Sequence, residues 1–151
     1  MSYPSVAKER TGWRDEAISL RHREWGWNCP TADLDFVLCE YNRALPVAIV
    51  EYKERHAEKP DFKTATYRAL KSLADLYSPG SLPFFVATYD QHDFWFVVTC
   101  VNDAARYFFR GCEGLVLTEQ RYVRGLYLMR KICLSEKDEE IISKLKTIIP
   151  E

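Results

Sequence analysis

No apolar run in the chain approaches the ~18 residues that a membrane-spanning helix needs, so no transmembrane segment is expected. The opening MSYPSVAKERTGW has no apolar stretch of the kind a secretory signal requires, and no signal peptide is expected. None of the cysteines, Cys29, Cys39, Cys100, Cys112 and Cys133, forms a CxxC pair, which argues against a zinc knuckle. Several lie in apolar runs, where a free thiol packs as a small hydrophobe. The expectation is a reducing, cytoplasmic setting without structural disulfides. There is no internal repeat, low-complexity tract or Gly/Ser linker, and no GxSxG elbow for a serine hydrolase. An excess of one charge is missing too. The formal net charge of −1 argues against a protein that simply coats nucleic acid, since such proteins are usually basic. It does not exclude an enzyme of nucleic acids, because metal-holding carboxylates lower the net charge while a local basic face remains.

What is present suits a single globular domain over residues 1–151. Hydrophobic residues make up 47% of the chain and charged residues 28%, a balance able to bury a core without disulfides or metal. Residues 11–25 read as a first helix, with Thr11 as cap and Ala17 and Leu20 in an apolar stripe. Residues 33–41 and 46–53 read as strands joined through Asn-Arg-Ala-Leu, a length that suits a hairpin. A second helix follows, with Asp61 as N-cap and Phe62, Ala65, Ala69, Leu73 and Leu76 at helical period. Ser78-Pro79-Gly80 stops it. LPFFVATYD and DFWFVVTCV read as two more strands across the polar turn Gln91-His92. The rest is mostly helical: Asn102 caps a piece ending at Gly111, Thr118 a helix to about Lys131, and Ser135 a last amphipathic helix. That last helix is expected to carry Ile141, Ile142, Leu145, Ile148 and Ile149 on one side. The order α-β-β-α-β-β-α-α implies an α/β fold, a mixed central sheet flanked by helices.

The informative feature is Asp35 followed by Glu51-Tyr52-Lys53. Residues two apart in a strand share a face, so Glu51 and Lys53 point the same way at the polar end of an apolar strand. If the hairpin is antiparallel, the start of its first strand lies opposite the end of its second, and Asp35 falls level with Glu51 to Lys53. Two acids and a lysine then meet at one edge of the sheet. Phosphodiester hydrolysis uses such a set. Two carboxylates suit Mg²⁺, a hard ion that prefers oxygen ligands and keeps several waters. The ion polarises the phosphoryl oxygen and lowers the pKa of bound water, and an ammonium nearby orients water or offsets charge in the transition state. The bland alternative is an exposed hairpin end with a surface salt bridge. Against it, PVAIVEYK is too apolar for a peripheral strand, and a buried strand ending in unlike charges needs a partner or a site.

The residues A-D-L-D35-F-V-L and V-A-I-V-E51-Y-K53 resemble the PD-(D/E)XK nuclease superfamily, over about residues 11–100. The resemblance implies a restriction-endonuclease-like core (αβββαβ), with residues 102–151 as a helical C-terminal extension. It implies a short strand at Gly26–Pro30 before Asp35, and it implies Asp35 and Glu51 as metal ligands with Lys53 as a catalytic partner. Leu34 stands where the family often has proline. The family's helix acid would be Glu16, with Glu24 and Glu9 left open. Small junction resolvases and phage or mobile-element nucleases are similar in size. The implied ion is Mg²⁺, with Mn²⁺ as substitute. The implied partner is nucleic acid, DNA ahead of RNA, with no membrane and a homodimer left open.

Other residues carry weaker signals. Asp33 could share the face of Asp35 or serve a turn. His56 could meet a phosphate or sit in a solvated loop, and His22 and His92 read as surface residues. Tyr67 is either a helix packing residue or part of the site. For contact with a phosphate backbone the candidates are Arg14, Arg21, Lys63, Arg121 and Arg124, the last two being three apart on one helix. Most aromatics read as core, because they fall within strand-like runs. The competing readings are a nuclease-fold protein that binds nucleic acid without cutting, and a protein-interaction module on an unrelated α/β fold.

Overall fold

The computed structural model describes residues 16–25, 32, 34–78 and 80–149, and only the backbone of Glu16, Ser19, Leu20 and Arg23. The chain divides into two compact units, Met1–Asp33 and Leu34–Glu151. In the first unit, helix α1 spans Glu16–Glu24. Arg21 Nη1 bonds Glu24 Oε2 at 3.1 Å one turn on, and the His22 and Trp25 rings meet edge to face at 4.5 Å.

The second unit is built on a five-stranded mixed sheet in the order β1-β2-β3-β4-β5. Its elements are β1 (Phe36–Glu40), β2 (Leu45–Glu54), α2 (Ala65–Leu76), β3 (Phe84–Tyr89), β4 (Phe96–Cys100), α3 (Asp103–Phe108), β5 (Val116–Leu117), α4 (Glu119–Met129) and α5 (Glu136–Ser143). β1 and β2 form the expected antiparallel hairpin, with a register irregularity between Leu38 and Cys39. β2 and β3 are parallel and α2 makes the crossover; β4 and β5 extend the sheet antiparallel. The two-residue β5 is too short to show as a strand pattern. No helix among the described residues is long and apolar enough to cross a membrane.

Alternation along β2 sends its residues to two different cores. Ala48 and Val50 join Phe85, Ala87, Phe96, Val98 and Leu117, and this face is closed by Phe109 below α3 and by Tyr122 and Met129 of α4. Ile49 faces the other way, with Phe84, Val86 and Val101, beneath Tyr67, Leu70 and Ala74 of α2. Glu51 and Lys53 share the parity of Ile49 and therefore lie on the α2 face. Helices α2 and α4 cover opposite faces of the sheet.

Local chemistry explains most boundaries. Asn102 caps α3 by accepting from Ala105 N, Thr118 caps α4 through Arg121 N, and Ser135 closes a capping box with Asp138 on α5. Three expectations are corrected. Asp61 does not cap α2: its carboxylate bonds Lys63 N in a turn of its own, and Thr64 occupies the cap position. The helix also turns a different stripe inward. Tyr67, Leu70 and Ala74 are buried, while Leu73 and Leu76 are exposed. Both stripes fit a 3.6-residue period; the Tyr67 ring, stacked 6.1 Å from Phe84, goes in. Helix α5 ends at Ser143, so only Ile142 of its expected stripe is buried and Ile141, Ile148 and Ile149 stay exposed. Cys39, Cys100, Cys112 and Cys133 are free thiols.

Candidate metal centre

The site grows from the hairpin register. Phe36 pairs with Val50, so the next position back, Asp35, stands across from Glu51. Residues directly opposite in an antiparallel pair share a face. Asp35 precedes β1 and is exposed. Glu51 is mostly enclosed between β2 and the start of α2, its side chain one-fifth exposed. Lys53, two residues on, sets its Nζ 3.7 Å from Glu51 Oε1.

The other carboxylate oxygen, Glu51 Oε2, is buried with no hydrogen-bond partner, and so is the Tyr67 hydroxyl oxygen. Burial first, then the Glu51 carboxylate and then Asp35, pushes the Tyr67 phenol well above its ordinary range. The Asp35 and Glu51 charges are thus felt at one hydroxyl on the first turn of α2. A buried, unpaired carboxylate oxygen is costly, because its desolvation is not offset by any donor.

That orphaned oxygen is the test of whether the residues fit a divalent cation. A hard ion would satisfy Glu51 Oε2 and take Asp35 as its second carboxylate, with water completing the shell. Among the described residues no group of three or more His, Cys, Asp or Glu side chains gathers to hold a metal; the carboxylates that meet at this place are the pair Asp35 and Glu51. The set carries two negative charges against the one of Lys53, a net attraction for a divalent cation.

The remaining candidates fall in several places. Glu9, Arg14, Asp33 and the segment Gly26–Pro30 lie outside the described residues. Glu16 opens α1 in the first unit, where only its backbone is described, and Glu24 pairs with Arg21. Lys63 is exposed in the turn leading into α2, and Lys59 and Arg68 are exposed on either side of it. His56 sits in the exposed loop after β2, where its Nε2 accepts from Arg55 Nε at 3.0 Å.

Arg121 and Arg124 do not join the acidic cluster: α4 packs on the opposite face of the sheet, with Tyr122 stacked on Phe96 at 4.1 Å. Arg124 is further committed to Glu139 through two bonds of 2.8 and 3.0 Å, a fork-to-carboxylate pairing that joins α4 to α5. Helical spacing placed the two arginines together but carried no information on which sheet face their helix covers. Tyr67 is the residue that spacing alone undervalued; the signal was its place in the 67-70-74 stripe.

No protein-family model matches the chain, and no curated protein or solved structure matches it.

Proposed function

We propose that this protein is a Mg²⁺-dependent nuclease that hydrolyses phosphodiester bonds of DNA. The single observation that carries the reading is the buried, unpartnered Glu51 Oε2, on a strand whose register sets Asp35 opposite and whose next inward residue is Lys53. The hairpin, the crossover helix and the parallel strand β3 follow in the order of a restriction-endonuclease-like core, and that finer fold assignment is part of the proposal. Mn²⁺ is expected to substitute.

Asp35 and Glu51 would hold the ion. When bound, it neutralises charge on the scissile phosphate and supplies water of lowered pKa. Lys53 stands at ion-pair distance, 3.7 Å, from Glu51 Oε1, and its ammonium offsets negative charge that develops on the phosphate oxygens. Tyr67 stays a neutral hydroxyl through the neutral range, because its phenol is pushed up. It can therefore donate to a Glu51 oxygen or to a ligand oxygen, but not act as a base near neutrality. Lys59, Lys63 and Arg68, exposed around the start of α2, would supply contact to the phosphate backbone.

The test is a cleavage assay on labelled linear, single-stranded, flap and four-way-junction DNAs, with an RNA strand beside them, in Mg²⁺, Mn²⁺ or EDTA. Cutting of DNA in either ion and none in EDTA is expected. Binding without cutting in any ion would replace the enzyme with a non-cutting nucleic-acid-binding protein.

A further inference from the structure

At the other end of β2 from Glu51 lies a cavity of about 650 Å³, a size typical of small-molecule sites. Leu45 to Glu51 is six residues of strand, so roughly 20 Å separates the two places. The cavity draws its lining from the β1–β2 hairpin, the α2–β3 loop, α3 and the end of α4.

Its chemistry is mixed. Tyr77, Tyr107 and Phe108 supply aromatic surface; Tyr107 is largely exposed with the Arg110 guanidinium 5.8 Å from its ring centre, and Phe108 meets Phe109 edge to face at 5.1 Å and stays partly exposed. Arg43, Arg130 and Lys131 supply three cations. Two of them are already matched. Arg43 Nε meets the buried Glu40 carboxylate at 2.9 Å and its Nη2 donates to Arg130 O at 2.8 Å, while Arg130 Nη2 stands 3.4 Å from Asp138. Lys131 has no acidic partner among the described residues. The cavity therefore carries one positive charge in excess, beside an aromatic wall.

Backbone strain gathers at the same place. Three described non-glycine residues have positive φ, and two border this cavity: Lys131 at +57° and Ala44, between Arg43 and Leu45, at +54°. Lys131 follows the last turn of α4, a position where glycine takes the left-handed conformation without penalty. No contact of its ammonium repays the strain. Strain of this kind collects at ligand sites.

We propose that this cavity binds a small aromatic phosphate of mononucleotide size. Lys131 and the free edge of the Arg43 guanidinium take the phosphate, and Tyr77, Tyr107 and Phe108 take the flat ring. The proposal is independent of the nuclease reading, because the site shares no residue with Asp35, Glu51 or Lys53.

The probe is adenosine 5′-monophosphate, followed by titration calorimetry in EDTA, with adenosine and inorganic phosphate as partial probes. The monophosphate should bind, and each partial probe should bind about tenfold more weakly or worse, since each forfeits one half of the contact. Lys131→Gly should weaken the monophosphate by about tenfold, the loss of one charge-assisted contact, while the unliganded melting temperature rises as the backbone strain is relieved. Glu51→Ala should leave this binding unchanged. The proposal is overturned if the monophosphate does not bind at millimolar concentration, if Lys131→Gly binds it as the unmodified protein does, or if Glu51→Ala abolishes it, which would place the nucleotide at the acidic cluster instead.

Discussion

Glu51 Oε1 rests 3.7 Å from Lys53 Nζ, while Oε2 of the same carboxylate is buried without a formed hydrogen bond, and the Tyr67 hydroxyl faces that carboxylate. One oxygen faces the ammonium at ion-pair distance and the other forms no hydrogen bond. Among the described residues the buried carboxylates Glu40, Asp90 and Asp138 each accept backbone or side-chain hydrogen bonds, whereas the partly buried Glu51 leaves Oε2 without one.

Tyr67→Phe separates stability from function. The hydroxyl is buried beside the Glu51 carboxylate without a formed hydrogen bond, so removing it should stabilise the metal-free protein by about 1 kcal/mol, the desolvation cost of an unsatisfied group. If the hydroxyl also donates within the site, cleavage should fall several-fold in the same variant. Urea unfolding and single-turnover cleavage on one preparation measure both. A less stable Tyr67→Phe protein would mean that the hydroxyl has a partner.

Arg124→Ala should leave nucleic-acid binding unchanged, because Arg124 is spent on Glu139 on the far side of the sheet. Lys63→Ala and Arg68→Ala should each weaken binding and reduce its salt dependence, as expected for loss of a phosphate contact. Fluorescence anisotropy at two salt concentrations distinguishes them. A large loss with Arg124→Ala would move the nucleic-acid face to α4.

Asn102→Ala should cost roughly 3 kcal/mol or more. Its fully buried amide accepts from Phe84 N and Ala105 N and donates to Leu82 O and Asp75 Oδ1, tying α2, β3 and α3 together. Truncation strands these groups where water cannot reach. Denaturant unfolding of the variant reads the loss directly, and a cost below 1 kcal/mol would show that the network relaxes around the gap.

Alkaline pH should unfold the protein. Burial, first among the causes, raises the phenols of Tyr52, Tyr67 and Tyr122, and it pushes the Cys100 thiol up to about 12. These groups are neutral in the fold, and in the unfolded chain they ionise near their ordinary values, about 8.5 for thiol and about 10 for phenol. Their contribution is therefore fully present below those values and is lost as pH climbs above them. Urea midpoints should hold from pH 7 to 8 and drop steeply beyond about 10. Tyr122→Phe should shallow that drop, and an unchanged slope would contradict the assignment.

The sequence read well wherever one local rule sufficed. Asn102, Thr118 and Ser135 cap helices because a short polar side chain precedes a helical stripe, and the hairpin follows from two apolar runs across a short polar turn. The opposition of Asp35 and Glu51 came from the same arithmetic of register. What local rules could not supply was the choice of face. Two stripes on α2 were equally periodic, and only packing against Phe84 and Ile49 selects Tyr67 over Leu73. The side of the sheet covered by α4 depends on Tyr122 stacking on Phe96, a contact between residues far apart in the chain. The pairing of Arg124 with Glu139 is hidden for the same reason.

The most direct measurement is single-turnover cleavage by Asp35→Ala, Glu51→Ala and Lys53→Ala, with DNA binding followed on the same samples. Each variant should stay folded, since Asp35 is an exposed residue ahead of β1 and Glu51 and Lys53 lie in the partly exposed second half of β2. Each should lose on the order of 10²–10³ in rate or more, the scale of removing one preorganised electrostatic group. The two carboxylate variants should bind DNA as well as the unmodified protein or better, because a repelled phosphate meets one less negative charge. Lys53→Ala should keep its Mg²⁺ affinity. Carboxylate variants that cut at the unmodified rate, or unmodified protein that cuts equally well in EDTA, would contradict the assignment of Asp35 and Glu51 as the metal-holding pair.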